Sequence, residues 1–196
     1  MKTTALVRRC GVLSLAAGTA WSIVSALSLL IDEPTRLLDA LMAVPLALTA
    51  LAFLALHPLQ RNRLGRLGQW GYRLSLGAFA LLFVAQAIIV AGIDRLFWLG
   101  FPVAAGIWFV GFLIYGIATA RSGVLVPWIG VAIGVSQLTA ILFGLALSPI
   151  SPIADHGDYS GAIGHGIIWL AIGVTLIRGR AFTGAQASVR TAPSAA

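Results

Sequence analysis

The sequence predicts an all-α polytopic membrane bundle of six transmembrane helices, with both termini on the cytoplasmic side. Three observations carry that expectation. Of 196 residues, 59% are hydrophobic and 10% charged, whereas average soluble domains carry about 25% charged residues, too many for this chain to match with a soluble surface. Apolar runs long enough to cross a hydrocarbon core of about 30 Å, at ~1.5 Å per helical residue, recur six times. The charges between those runs segregate by sign, as they do when arginine bias orients a membrane protein.

The first span is predicted over residues 10–31, after a short basic leader ending in Arg8 and Arg9. A paired arginine before an apolar run also resembles an export signal, but this run is longer than a signal core and leads into further spans, so a retained helix is expected. Asp32, Glu33, Pro34, Thr35 and Arg36 form the first turn. The second span, 37–56, contains Pro45 as an expected kink and is closed by His57 and Pro58. A basic loop with Arg61, Arg63, Arg66 and Arg73 among Gly65, Gly68 and Gly71 precedes the third span, 74–93. The fourth, 96–120, follows Asp94 and Arg95. The tight turn Arg121-Ser122-Gly123 leads to the fifth, 124–147, with Pro127 in its first turn, where proline is tolerated. A loop holding Asp155, His156, Gly157 and Asp158 precedes the short sixth span, 161–177, which Arg178 and Arg180 end. Residues 1–180 are read as one six-helix domain, and 181–196 as a disordered cytoplasmic tail of small and polar residues.

With the N-terminus inside, Lys2, Arg8, Arg9, Arg61, Arg63, Arg66, Arg73, Arg121, Arg178, Arg180 and Arg190 all fall on the inner side, and only Arg36 and Arg95 on the outer. Asp32, Glu33, Asp39, Asp94, Asp155 and Asp158 all fall outside. Removing one span would scramble this separation. The net charge of +7 therefore belongs to topology, and no nucleic acid partner is expected. Trp70, Trp98 and Trp128 stand at predicted interfaces; Trp21, Trp108 and Trp169 stand deeper and are expected to pack. Lys2 is the only lysine, which excludes a retinal Schiff base, and a lone Cys10 excludes an intrachain disulfide. No cofactor is expected.

Small residues should hold the bundle together. Ser14, Gly18 and Ser22 recur every fourth residue in the first helix, and Gly130 and Gly134 form a Gly-xxx-Gly pair in the fifth. Such spacing lets helix backbones approach closely, either within the chain or against a membrane protein partner. Gln86 and Gln137 are the strongest mid-membrane polar groups, each closing a Val-small-Gln triplet. A lipid-facing amide is costly, so both should face the interior, through inter-helix hydrogen bonds or as the lining of a ligand cavity shared with His165 and Trp169. The echo between the triplets admits an inverted repeat of three helices plus three.

On the outer face, Asp155, His156 and Asp158, with Asp39 at the start of the second helix, form a candidate cation site; no established metal motif matches the spacing, and the metal is unknown. Asp39 also has Arg36 three residues away for a local ion pair. Gly161, His165, Trp169 and Gly173 share one face of the sixth helix. His57 and His165 lie at opposite membrane faces, which excludes a shared haem. Ser136 is expected about six residues, or ~9 Å, deeper than His165 at the helical rise, too far for a nucleophile and base. No catalytic residue is identified.

The turn Arg121-Ser122-Gly123-Val124-Leu125-Val126-Pro127-Trp128-Ile129-Gly130 resembles those of uncharacterised small multi-pass bacterial membrane proteins, and the resemblance implies location in the bacterial inner membrane. In size, span number and first-helix stripe the chain is also similar to the substrate-binding membrane subunits of vitamin uptake systems. Three readings follow. The leading one is a non-enzymatic helix-bundle subunit or binding protein, the second a small-molecule or ion transporter or its substrate-binding component, and the third a lipid-modifying enzyme. Its partners are the lipid bilayer and, in the first reading, another membrane protein.

Overall fold

The structure, a computed structural model, describes residues 2–31, 36–150 and 161–182, with the backbone course alone for 2–4 and 94–99. Among the described residues six α-helices follow one another: α1 (Lys2–Ser28), α2 (Arg36–Gln60), α3 (Gly65–Val90), α4 (Asp94–Arg121), α5 (Pro127–Leu147) and α6 (Ala162–Ile177), and a 3-10 turn, Ser148–Ile150, follows α5. Each helix packs on its neighbours in the chain, and α6 closes back on α1, so the helices form a ring in sequence order. Five of them are long and apolar enough to cross a bilayer; α6 is shorter.

Alternate turns lie at alternate ends of the ring. At one end the amide of Val126, after α4, donates to the carbonyl of Ala181, after α6, at 2.8 Å. Ser122 there lies 3.5 Å from the side-chain oxygen of Gln60, at the end of α2. The start of α1 reaches the same end, because Gly11 faces Gly173 and Ile177. Arg8, Arg9, Arg61, Arg63, Arg66, Arg73, Arg121, Arg178 and Arg180 are all exposed at or near this basic end. Asp39 lies at the other end, where the Arg36 guanidinium lies against Gly92 in the turn between α3 and α4.

Several helix limits differ from those the sequence suggested. α1 takes in the basic leader from Lys2. α2 continues through Pro45 and past His57 and Pro58 to Gln60, and the amide of Arg61 still donates to the His57 carbonyl at 2.9 Å. Most of the expected basic loop is helix, because α3 starts at Gly65. Two of the glycines that looked like loop residues, Gly68 and Gly71, are packing residues. A methyl on Gly71 would sit 2.6 Å from the Tyr115 amide nitrogen, and one on Gly68 2.9 Å from Cβ of Ala118, both on α4. The last described residues, Ala181 and Phe182, are buried and half-buried, and Phe182 pairs with Leu125 in an isolated antiparallel bridge. The expected tail lies beyond them from 183, outside the described residues.

The outward faces are apolar on all six helices. Val12 and Ile23 on α1, Leu51 and Leu54 on α2, Leu81 and Val84 on α3, Val103 and Val110 on α4, Leu138 and Ile141 on α5, and Ile167 and Val174 on α6 are exposed. An apolar belt of this extent suits a lipid solvent and is foreign to a soluble monomer. In lipid no hydrophobic effect draws helices together, so association must come from close packing and hydrogen bonds. Glycine supplies the close packing at four of the six seams. A methyl on Gly18 would lie 2.6 Å from the Gly166 carbonyl oxygen between α1 and α6; on Gly111, 2.8 Å from the Ser75 amide between α4 and α3; on Gly116, 2.5 Å from the Gly130 carbonyl between α4 and α5; and on Gly164, 2.6 Å from the Thr139 carbonyl between α6 and α5. Gly134 abuts Gly116 on the same α4–α5 seam, and Ser22 abuts Gly166 on the α1–α6 seam. α2 contains no glycine and joins its neighbours through side chains.

These seams have a measurable consequence. Gly116→Ala is expected to lower unfolding free energy by about 1–3 kcal/mol, because the added methyl meets backbone rather than a side chain that can move. Gly77→Ala, where nothing lies within 4 Å of the new methyl, is expected to be neutral or slightly stabilising. Thermal unfolding of both variants in the same detergent checks the pair, and equal effects would remove the packing role of Gly116.

Candidate functional site: an aromatic cluster around His165

The sixth helix places His165 and Trp169 one turn apart on its buried face. The Trp169 indole N–H donates to Nε2 of His165 at 3.0 Å. An indole nitrogen can only donate, so Nε2 carries no proton, and the proton sits on Nδ1, 3.3 Å from the carbonyl oxygen of Ser136 on α5. Both ring nitrogens are engaged in the neutral Nδ1–H tautomer. Around the imidazole lie Trp21 of α1, edge-on at 5.2 Å between ring centroids, Trp108 of α4 at 5.0 Å, and Phe112 of α4, stacked at 6.3 Å. The Trp21 indole N–H donates in turn to the Thr49 hydroxyl on α2 at 2.8 Å. Three helices and a fourth through its backbone thus meet at one imidazole.

The cluster continues toward the basic end. Phe112 stacks on Phe53 of α2 at 5.1 Å, and Phe53 lies 4.6 Å from the Tyr115 ring. His57 stacks on Tyr72 of α3 at 3.6 Å and nearly parallel. Below Tyr115, the Gln60 amide nitrogen donates to the Tyr115 hydroxyl and to the Thr119 hydroxyl, each at 2.9 Å. Gln60 is 2% exposed and reaches across the ring from α2 to α4. Sequence reasoning missed this group, because it ended the second span at Leu56, closed by His57 and Pro58, and left Gln60 in a loop. A signal was present in Tyr115 and Thr119, an i, i+4 polar pair in an otherwise apolar helix.

The other sequence candidates fall elsewhere. Gln86 donates its amide N–H to the backbone carbonyl of Asp39, tying α3 to α2 near the end opposite the arginines. Asp39 is buried there. Gln137 is half-buried, and its Oε1 is buried without a partner in the protein. Gln86 therefore bonds at the α2–α3 seam, whereas His165 bonds to α5 and to its own helix, and the triplet echo between Gln86 and Gln137 does not extend to their surroundings. Ser14 is fully buried in α1, and its hydroxyl too lacks a partner. Gly18 and Ser22 face α6, so this part of the stripe serves packing within the chain. Asp155, His156 and Asp158 lie outside the described residues; among the described residues no three His, Cys, Asp or Glu side chains gather as a metal site would need. Trp70 and Trp128 are exposed at the basic end, and Trp21, Trp108 and Trp169 are buried.

The expected depth difference between Ser136 and His165 is corrected. His165 touches the Ser136 carbonyl, because α6 begins beside Ala140 and Gly144 rather than level with the end of α5. The pair is still no catalytic dyad. The Ser136 hydroxyl donates to the Ile133 carbonyl at 2.8 Å, and both imidazole nitrogens are occupied, which leaves neither a directed nucleophile nor a free base.

Compared with family models, with curated proteins and with solved structures, the chain matches none.

Trp169→Phe keeps a ring in place but strips Nε2 of His165 of its donor. It is expected to destabilise the protein by about 1–3 kcal/mol, the penalty of a buried unpaired polar atom. His165→Phe with Trp169→Phe should recover part of that loss, since both partners become apolar. Chemical denaturation of the single and double variants reads this out, and additive losses would show that the bond contributes nothing of its own.

Proposed function

We propose that the chain is a six-span membrane protein of the bacterial inner membrane, with both termini cytoplasmic, acting as a non-enzymatic helix-bundle subunit or binding protein. The observation that carries the non-enzymatic reading is the state of His165. The best candidate base among the described residues has both nitrogens engaged and is enclosed by Trp21, Trp108, Phe112 and Trp169. General acid–base work needs a group free to exchange a proton with a substrate.

The membrane reading is supported by the apolar belt and by the charge placement. All the described arginines except Arg36 and Arg95 gather at the basic end, which the arginine rule assigns to the cytoplasm. α6, at 16 residues, spans only about 24 Å at the helical rise, and the exposed Arg178 and Arg180 after it can extend toward headgroups. The topology is tested by cysteine labelling in a Cys10→Ala background. Ile150→Cys is expected to react with a membrane-impermeant maleimide on intact cells, and Asn62→Cys only after lysis. The reverse pattern would invert the orientation, and labelling of both on intact cells would refute the span count.

One observation favours the second reading, a small-molecule carrier or its binding component. The Trp108 indole nitrogen, beside His165, and Oε1 of Gln137 on the next helix are buried without partners in the protein, and such groups are uncommon unless a ligand or water meets them. Native mass spectrometry of the wild type beside Trp108→Phe and Gln137→Leu separates the readings. A copurifying small molecule lost in either variant favours the carrier, whereas the same bare protein in all three favours the subunit.

A further inference from the structure

We propose that the turn joining α2 to α3 binds the phosphate headgroup of an anionic phospholipid. The inference rests on the membrane reading above and adds a ligand to it. At this turn a groove of about 460 Å³ is lined by Arg61, Arg66 and Arg73 together with Asn62, Gln69 and Trp70. The groove is ordered rather than a chance cluster of exposed arginines. The Gln69 amide N–H donates to the Arg61 carbonyl at 2.9 Å, holding the turn against the first turns of α3. The Arg73 guanidinium carbon lies 5.7 Å from the centre of the Trp70 ring, in cation–π range.

Three features select an anion. Guanidinium groups bind phosphate oxygens through paired N–H bonds, and three converge here. α3 begins at Gly65, one of the residues lining the groove, with no side-chain cap, so the positive end of a 26-residue helix adjoins the same space. No aspartate or glutamate occurs between residues 40 and 93, so neither helix carries a carboxylate near the groove to compete for the arginines.

The source of the phosphate follows from what adjoins the groove. Trp70 is 60% exposed, the placement of an interfacial anchor. On its helical face Gly77, Leu81 and Val84 continue away from the groove, all exposed, and nothing in the protein lies within 4 Å of a methyl added at Gly77. A headgroup held by the arginines would lay its acyl chains along this open apolar stripe. A soluble anion would have no use for it. Basic pockets beside cytoplasmic helix ends suit acidic headgroups on the same electrostatic grounds.

The test uses the full chain, purified in neutral detergent and placed in nanodiscs of phosphatidylcholine containing one part in ten of phosphatidylglycerol with matched acyl chains. Native mass spectrometry then counts retained lipids. The wild type is expected to enrich phosphatidylglycerol over phosphatidylcholine by about tenfold or more, in line with two or three arginine contacts. Arg66→Gln with Arg73→Gln should reduce the enrichment to about threefold or less, and Trp70→Ala should lower it with no change of charge. Arg178→Gln with Arg180→Gln, which removes the same charge elsewhere at this end, should leave it intact. All these side chains are exposed, and circular dichroism with size exclusion verifies folding. Incorporation of the wild type without phosphatidylglycerol preference overturns the headgroup site alone, as does an equal loss in the Arg178 and Arg180 variant. Displacement of the bound lipid by millimolar inorganic phosphate would replace the lipid with a soluble anion. Failure of the wild type to enter nanodiscs overturns the membrane reading and this site with it.

Discussion

Six rods of equal width in a ring enclose a space as wide as one rod, about 8–10 Å for packed helices. That space is the constraint on which the rest of this structure depends, because lipid cannot fill it and backbone does not. The chain fills it with rings. Phe53 of α2, Phe112 of α4 and His165 with Trp169 of α6 meet from alternate helices, so that Phe112, fully buried, has Phe53 on one side and His165 and Trp169 on the other. Trp21 and Trp108 close the cluster toward one end, and Tyr115 toward the other. Large rings in a bundle core contribute through area and dispersion, and truncating one costs about 3–5 kcal/mol.

The seams complement the plug. Where glycine removes the side chain, neighbouring backbones come into contact and the ring contracts onto its contents. α2 is the exception, with no glycine, and its joints are hydrogen bonds instead: Thr49 to Trp21, Gln60 to Tyr115 and Thr119, and the Asp39 carbonyl to Gln86. These three ties all engage α2, whereas the bond from His165 to the Ser136 carbonyl joins α6 to α5. In a low-dielectric interior such bonds contribute about 1 kcal/mol each and fix a helix in rotation as well as position.

The helical class, the order of elements and the gathering of the arginines at one end were legible in the sequence, because apolar run length and arginine placement are local properties. Gly18, Gly130 and Gly134 were legible as packing residues for the same reason. The interior was not. That His165 meets Ser136, Trp21 and Trp108 depends on which helices adjoin and at what depth, and neither is encoded in one helix. Glycines mislead where two rules conflict: Gly65, Gly68 and Gly71 among arginines read as a loop by composition, whereas Gly68 and Gly71 allow α3 to approach α4. Gln60 was lost because proline is taken to end helices, yet α2 continues for two residues beyond Pro58.

The depth of His165 shows how one length sets a chemical state. α6 starts beside Ala140 and Gly144, with Gly161 against both, so its fourth residue already lies level with Ser136. A helix as long as α5 would hold that residue near the membrane surface, where water satisfies an imidazole and a proton can come and go. Placed instead among four aromatic rings, the imidazole must find partners within the protein, and it finds an indole donor one turn along its own helix and a carbonyl on α5. The glycines flanking it, Gly164 against the Thr139 carbonyl and Gly166 against Ser22 and the Gly18 carbonyl, hold α6 against α5 and α1 at this level and fix the partners. The same short helix that gives the sequence its least regular span therefore converts a titratable side chain into a structural one.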